Sequence, residues 1–406
     1  MAALVWVAGT EWAVGAGHVD WHRYRGPDHN GISKETGWSA VWQKEGPKQL
    51  WKANVGIGFS SMTVADGRVY TMGNKGDKDT VYCLNSQSGA IVWQHTYDCP
   101  LDPKYYEGGT SSTPTVDARQ VYTFSRRGHL FCLDAAKGAV VWQKNLVTDL
   151  GLKIPEWGFA GSPLVDGDLL ILNAGERGVA VNKQTGALVW KSSEEASGYA
   201  TPVPMSPAGK RVVAVFGAKG IFGLEPSNGK VAWSHDWETS YDVNAADPLA
   251  SGDEVFISSG YNRGGALLKI SPTGKPKVLW ENKHMRNQLN SCVLLDGHLY
   301  GFDGNVGKEG TLRCLEWSSG GVKWTQKGLG TGSLMAASGR LIILSEMGEL
   351  VVAEASPAGF KAVSRAQVLG GTCWTVPVLA GGKLLCRNSK GELVCLDVSG
   401  QVTARR

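Results

Sequence analysis

The stretch from Cys132 to Trp142 reads C-L-D-A-A-K-G-A-V-V-W: two short apolar runs flank a polar turn, and a tryptophan closes the second run. The pattern returns at Cys83 to Trp93 (C-L-N-S-Q-S-G-A-I-V-W), Ala180 to Trp190 (A-V-N-K-Q-T-G-A-L-V-W), Gly223 to Trp233 (G-L-E-P-S-N-G-K-V-A-W) and Cys314 to Trp324 (C-L-E-W-S-S-G-G-V-K-W). Looser copies end at Trp51 (G-P-K-Q-L-W) and Trp280 (G-K-P-K-V-L-W). The closing tryptophans are therefore separated by 42, 49, 48, 43, 47 and 44 residues. A period in this range marks a repeat array, and four short strands per period make the blade of a propeller.

Outward from the motif, each period has the same grammar. After Phe59 come an apolar run ending at Val64, the turn Ala65-Asp66-Gly67, a run from Val69 to Met72, a polar loop at 73–79, a run from Val81 to Leu84, a turn at Gly89, and Ile91-Val92-Trp93. Alternation, β-branched and aromatic residues and Asp-Gly turns predict four antiparallel strands, innermost first. The innermost strand often opens on a polar residue followed by proline, as in Thr113-Pro114, Ser162-Pro163, Thr201-Pro202 and Asp247-Pro248. Proline lacks an N–H and suits the start of a strand that borders a channel. Such starts fall at 62, 114, 163, 202, 248, 292, 334 and 377, and closing strands at the seven tryptophans plus a decayed copy at Phe360 to Val363, giving eight of each. The last repeat, Trp374 to Leu396, has only a weak closing strand, and the strand ending at Trp51 has no repeat in front of it. Pairing the two closes a ring without a free edge.

The expectation is an all-β, eight-bladed β-propeller of four-stranded antiparallel blades over 46–406, with 18–45 as an arm packed on it. Asn85, Asp134 and Asn182 suit side-chain bonds within the outer turn, and Gly89, Gly138, Gly186 and Gly229 allow positive φ at its end. Trp51, Trp93, Trp142, Trp190, Trp233, Trp280 and Trp324 are expected to dock one blade on the next, each with its indole N–H offered to a turn carbonyl.

Composition limits the function. The chain has 406 residues, 42% of them hydrophobic, and a net charge of +4 with no long basic run, so nucleic acid is not an expected partner. The 54 glycines and 16 prolines follow no collagen-like period and fit the turns of many short strands. Of the eight cysteines, 83, 132, 314 and 395 hold equivalent repeat positions and are expected to pack as small buried hydrophobes. There is no C-x-x-C pair, haem-attachment motif or adjacent cysteine pair, and spacing alone assigns no disulfide. Residues 1–17 are apolar and rich in small residues, like the tail of a secretory signal, but they lack a basic region; a cytosolic tail is the other reading. No later stretch is long and apolar enough for a membrane helix.

The repeat resembles the quinoprotein-type propeller repeat, whose tryptophan-docking motif is approximately A-x-D-x-x-x-G-x-x-x-W, over most of Gly46 to Leu396. The opening W-x-x-Y-R-G-P at Trp21 to Pro27 is similar to exported bacterial members of that family. The resemblance implies one of two functions. Some members are alcohol or sugar dehydrogenases that hold pyrroloquinoline quinone (PQQ) and calcium over the channel; others, such as BamB-like propellers, are non-catalytic binding modules. This chain departs from the catalytic members in lacking the adjacent cysteine pair and the haem motif. Asp303-Gly304-Asn305 with Glu309 is only faintly like a calcium loop.

In this topology the connections between blades and those between the second and third strands emerge together at the channel mouth. There the sequence is least repetitive, and it supplies the candidate site: Glu107, Arg126, Arg127, Trp157, Glu176, Arg177, Tyr241, Asp242, Asn244, Arg263, Arg286, Asn287, Asn290, Glu346, Trp374 and Arg387. Arginines among aromatic rings suit an anionic or planar ligand, since guanidinium groups fork to carboxylates and stack on rings. The same residues would also serve as a hydrated ion network filling the mouth. The leading expectation is an exported, periplasmic, monomeric binding or scaffold propeller with a protein, peptide or small anionic ligand on its loop face, and with no catalysis, cofactor or metal. The alternative is a PQQ- and calcium-dependent dehydrogenase.

Overall fold

The computed structural model describes residues 20–271, 275–307 and 310–400, so the expected signal remnant at 1–17 lies outside the described residues. The described strands form eight antiparallel sheets around a channel, with an added parallel strand on one. In the first blade Thr63–Ala65, Arg68–Asn74, Lys78–Asn85 and Ile91–Asp98 pair in sequence order. The other innermost strands are Thr115–Asp117, Leu164–Asp166, Val203–Met205, Leu249–Ser251, Val293–Leu295, Ser333–Ala337 and Val378–Ala380. Each begins within one residue of the start expected from sequence. The eighth blade takes its outermost strand from the other end of the chain: Lys48–Asn54 pairs antiparallel with Glu392–Asp397, Lys52 opposite Val394. Among the described residues no helix is long and apolar enough to cross a membrane.

The repeated tryptophan and the repeated glycine belong to one joint. Trp93 of the first blade lies against the outer turn of the second, where a Cβ on Gly138 would stand 2.5 Å from the ring, and its Nε1 donates to Ala135 O at 2.9 Å. Trp51 meets Gly89 and Ser86 O, Trp142 meets Gly186 and Lys183 O, and Trp190 meets Gly229 and Pro226 O in the same way. Trp280 and Trp324 donate to Trp317 O and Ser356 O at 2.7 and 2.8 Å. The Trp233 indole has no partner among the described residues, and residues 272–274 lie outside them. The turn itself is held as expected, with Asp134 Oδ1 accepting from the N–H groups of Ala136 and Lys137 at 3.0 and 2.8 Å.

A second ring of bonds joins the innermost strands. The backbone N–H of Ser61 donates to Thr113 Oγ1, Thr113 to Ser162 Oγ, Ser162 to Thr201 Oγ1, Thr201 to Asp247 Oδ1 and Asp247 to Ser291 Oγ, all between 2.7 and 3.1 Å. The polar residue before proline is therefore an acceptor for the preceding blade. All eight cysteines are buried and unbridged.

The arm runs along the opposite end of the channel. Trp21 bridges Val64, His22 O accepts from Val116 N–H, Arg25 Nη2 donates to Cys292 O at 2.6 Å, and Ile32–Ser33 pairs parallel with the seventh blade at Ala336 and Ala337. The Glu35 carboxylate accepts from the N–H groups of Gly381 and Gly382 in the eighth blade. Its contacts thus reach the first, second, sixth, seventh and eighth blades and close the channel at that end.

Truncating Trp93 to alanine should cost about 3 to 5 kcal/mol, the range for buried aromatics. Gly138→Ala, which forces a Cβ both into the Trp93 ring and onto a φ of +70°, should be destabilising although it adds only a methyl group. Urea melts of both variants check this, and a Gly138→Ala protein as stable as the parent would contradict the joint described here.

Candidate functional site

At the loop-rich end the channel widens into a cavity of about 1040 Å³, within the size range of pockets for drug-sized ligands or short peptide segments. Nine aromatic side chains line it: Tyr24, Phe59, Tyr105, Tyr106, Trp157, Tyr199, Tyr241, Tyr261 and Trp374. Seven of them form two groups. Tyr199, Trp157, Tyr241 and Tyr261 make a chain of edge-to-face contacts with centroids 5.4 to 6.3 Å apart, and Phe59 joins Tyr106 and Trp374 at 5.6 and 5.3 Å. Such spacings are favourable between ring quadrupoles.

The rim backbone is unusual. Tyr105, Tyr241, Asp242, Tyr261 and Asn262 all have left-handed φ, between 51° and 63°. Non-glycine residues adopt this conformation at a cost of about 1 to 2 kcal/mol each. Tyr105 and Tyr241 nevertheless present their side chains to solvent, 102% and 69% exposed. Backbone held this way places rings at the mouth that ordinary loop geometry would direct elsewhere.

The structure divides the sixteen sequence candidates. Trp157, Tyr241, Asp242, Asn290 and Trp374 line the cavity. Glu346 stands behind them, accepting from Trp374 Nε1 at 3.1 Å and Thr331 N–H at 3.0 Å, and Glu107 accepts from Ser389 Oγ at 2.6 Å. The others belong to the frame. Arg126, fully buried, donates to Leu101 O, Gly109 O, Asp102 and Trp157 O, tying the loop of Tyr105 and Tyr106 to that of Trp157. Arg387 is buried without a carboxylate partner and donates to Ser60 O, Met72 O, Gly56 O and Thr71 Oγ1; burial pushes its pKa down to about 9. Arg286 pairs with Asp303, Arg177 with Glu176 and Arg127 more distantly with Asp102. Arg263 pairs with Glu281 and stacks on Trp237 at 3.5 Å. Asn244 and Asn287 donate to backbone carbonyls beneath the loops, Asn244 to Gly217 O and Asn287 to Phe302 O. The guanidinium groups therefore hold the loops in place, and none of them lines the cavity.

Other lining residues were not among the sequence candidates, including Tyr24, Phe59, Lys104, Tyr106, Glu156 and Tyr199. Asp247 was legible only as a strand start, although an acid among the Ser and Thr residues of that series was the available signal. It lines the cavity, is 7% exposed, and its Oδ1 accepts from Thr201 N–H at 2.7 Å. Burial raises its pKa to about 6, against the opposing charge of Arg25 and the Thr201 hydrogen bonds. Burial also raises the pKa of Tyr24, and the Asp247 charge adds to the shift. Among the described residues no three His, Cys, Asp or Glu side chains cluster as a metal site; Asp303 is paired with Arg286 and Arg313, and Glu309 lies outside the described residues.

Two outcomes follow from this geometry. Removing Arg126 should cost about 2 to 3 kcal/mol, since several charge-assisted hydrogen bonds are lost, and should shift tryptophan emission as the Trp157 loop loosens. Because the folded carboxyl of Asp247 is raised from 3.8, the folded state binds a proton in a range where the unfolded chain does not. Its contribution to stability should therefore grow by about 2 kcal/mol as pH falls from about 7 to about 4, and Asp247→Asn should remove that part of the profile in melts across pH.

Several proteins share the fold. The structure of BamB from Moraxella catarrhalis superposes with a TM-score of 0.64 at 16% identity, covering 86% of this chain and 99% of that one. Quinohemoprotein alcohol dehydrogenase from Comamonas testosteroni gives a TM-score of 0.70 at 14% identity, covering 95% and 82%. The computationally designed protein Ika8 gives 0.62 at 10% identity, covering 87% and 100%. At these identities the likeness is one of fold. No curated protein matches the chain. The family described as outer membrane protein assembly factor BamB matches residues 77–326, more than half of the sequence and most of the tryptophan-docked blades, and the chain belongs to that family.

Proposed function

We propose that this protein is an exported binding propeller that takes a peptide segment of a partner protein into the aromatic cavity at its loop-rich face. The observation that carries this is the cavity itself: nine rings at its wall, two of them held out to solvent by left-handed backbone, and the channel behind it closed by the arm. Rigid aromatic side chains give large contact area at low entropic cost, which suits recognition. The frame offers little for nucleophilic chemistry. Burial raises the thiols of Cys83 and Cys132 to about 11 and about 12, and lowers His29 to about 3. Membership in a family described as an outer-membrane assembly factor supports an exported binding role.

The dehydrogenase alternative requires a site for PQQ and calcium. The rings would stack a planar quinone, but the remaining donors do not suit its carboxylates or the metal. Among the described residues Lys104 is the one cationic side chain lining the cavity, and it is paired with Glu156 at 3.2 Å; Asp247 has no second acid beside it in a metal-binding group there. The residues present therefore do not fit that pair of groups.

Panning a random linear peptide library against the purified protein is expected to enrich binders whose affinity falls at least tenfold in the Trp157→Ala/Tyr241→Ala double variant. Incubation with PQQ and calcium is expected to give no dye-linked oxidation of alcohols or sugars. Turnover there, or enriched peptides indifferent to the double variant, would replace this proposal.

A further inference from the structure

Asp247 occupies a place in the inter-blade ring where Thr113, Ser162, Thr201 and Ser291 stand in neighbouring blades. A hydroxyl satisfies the N–H of the preceding blade without bringing a charge into the channel. A carboxylate does so as well, but adds a negative charge at a site that is 7% exposed. Among the described residues no lysine or arginine forms an ion pair with it. Arg25, the cation whose field reaches it, directs Nη2 to Cys292 O and Asn30 O at 2.6 and 3.1 Å. The groups facing Asp247 are Tyr24 and Arg25 from the arm, Thr201 from the fourth blade and Ser291 from the sixth.

The other carboxylates lining the cavity are neutralised: Glu156 by Lys104 at 3.2 Å and Asp242 by Lys219 at 2.8 Å. The lining amides also have partners. Gln288 donates to Tyr261 Oη and accepts from Val306 N–H, Asn290 donates to Gly332 O and Trp374 O, and Asn305 accepts from Tyr261 N–H. A polyol would find these amides already engaged, and an anion would meet the unpaired carboxylate. What the described lining lacks is an unpaired positive charge. We propose that it binds an organic cation, a primary ammonium or guanidinium group that seats on the Asp247 carboxylate among the aromatic rings of the wall. The carboxylate supplies a charge-assisted hydrogen bond in a site largely removed from water, and ring faces attract cations. A bare metal ion fits poorly, since no group of three ligands is present among the described residues.

This inference rests on the proposal that the cavity is the binding site, and the test separates the two. Calorimetric titration at pH 7.5 would compare acetyl-Phe-Lys-Phe-amide with acetyl-Phe-norleucine-Phe-amide, and 2-phenylethylamine with 2-phenylethanol. The cationic member of at least one pair is expected to bind at least tenfold more tightly. The preference should vanish in Asp247→Asn and in Asp247→Thr, which restores the residue type of the neighbouring blades, with both variants shown to be folded by their melts. In the parent it should fade as pH falls below about 6. Preference for the lysine peptide alone identifies a basic side chain as the source of the cation, and equal preference in both pairs identifies a free amine. Equal affinity within both pairs, or a preference that survives both substitutions, overturns the inference. If that happens while library peptides remain sensitive to the Trp157/Tyr241 double variant, the cavity remains the binding site and only its charge selectivity is refuted.

Discussion

Everything in this protein depends on one contact: the ring of a tryptophan lying flat on the α-carbon of a glycine in the next blade, with the indole N–H bonded to a carbonyl of the same turn. The contact needs a flat apolar ring, a missing Cβ and an exposed carbonyl at once, so it repeats in sequence as a fixed unit. It also operates at the periphery. Once the outer turns are locked together, the chain at the opposite end of each blade is released from the repeat and can vary, and the aromatic cavity arises there.

Variation at the mouth still had to be made rigid, and the arginines do this. Arg126 gathers carbonyls from two loops that carry cavity rings, and Arg387 joins the eighth blade to the first through oxygen atoms alone. A guanidinium presents several donors in a plane and can satisfy carbonyls that no regular strand would reach. Charge used in this way is internal to the frame. The cavity wall is accordingly aromatic, and among the described residues that line it the one charge without an ion-pair partner is the Asp247 carboxylate, which replaces a hydroxyl.

The architecture was legible because its causes are local and periodic. The spacing of the tryptophans, the polar-proline starts and the orphan strand at Trp51 each reflect a constraint that recurs in every blade, and the blade count and the closure followed from them. The site was legible only in outline. Trp157, Tyr241 and Trp374 were identifiable because irregular loops carrying aromatic residues stand out against a repeat. The role of the arginines was not, since whether a guanidinium meets a ligand or the carbonyl of a distant loop depends on three-dimensional proximity that leaves no mark in spacing. Tyr24 illustrates the same limit: it reaches the cavity from the arm, at the other end of the channel. Asp247 was concealed by its conformity, filling an acceptor position that hydroxyls fill in the neighbouring blades.

The closing strand has a consequence for how the molecule is made. Lys48–Asn54 is synthesised long before its partner Glu392–Asp397, with most of the blades between them. At ordinary synthesis rates of about 5 to 20 residues per second, the early strand must remain unpaired for tens of seconds. Pairings so distant in sequence also form slowly, because the loop-closure entropy must be overcome before any contact rewards it. The ring therefore stays open until Glu392–Asp397 is available to pair. A ring that closes through strands so far apart in sequence becomes an edge-free body only after Glu392–Asp397 has been made.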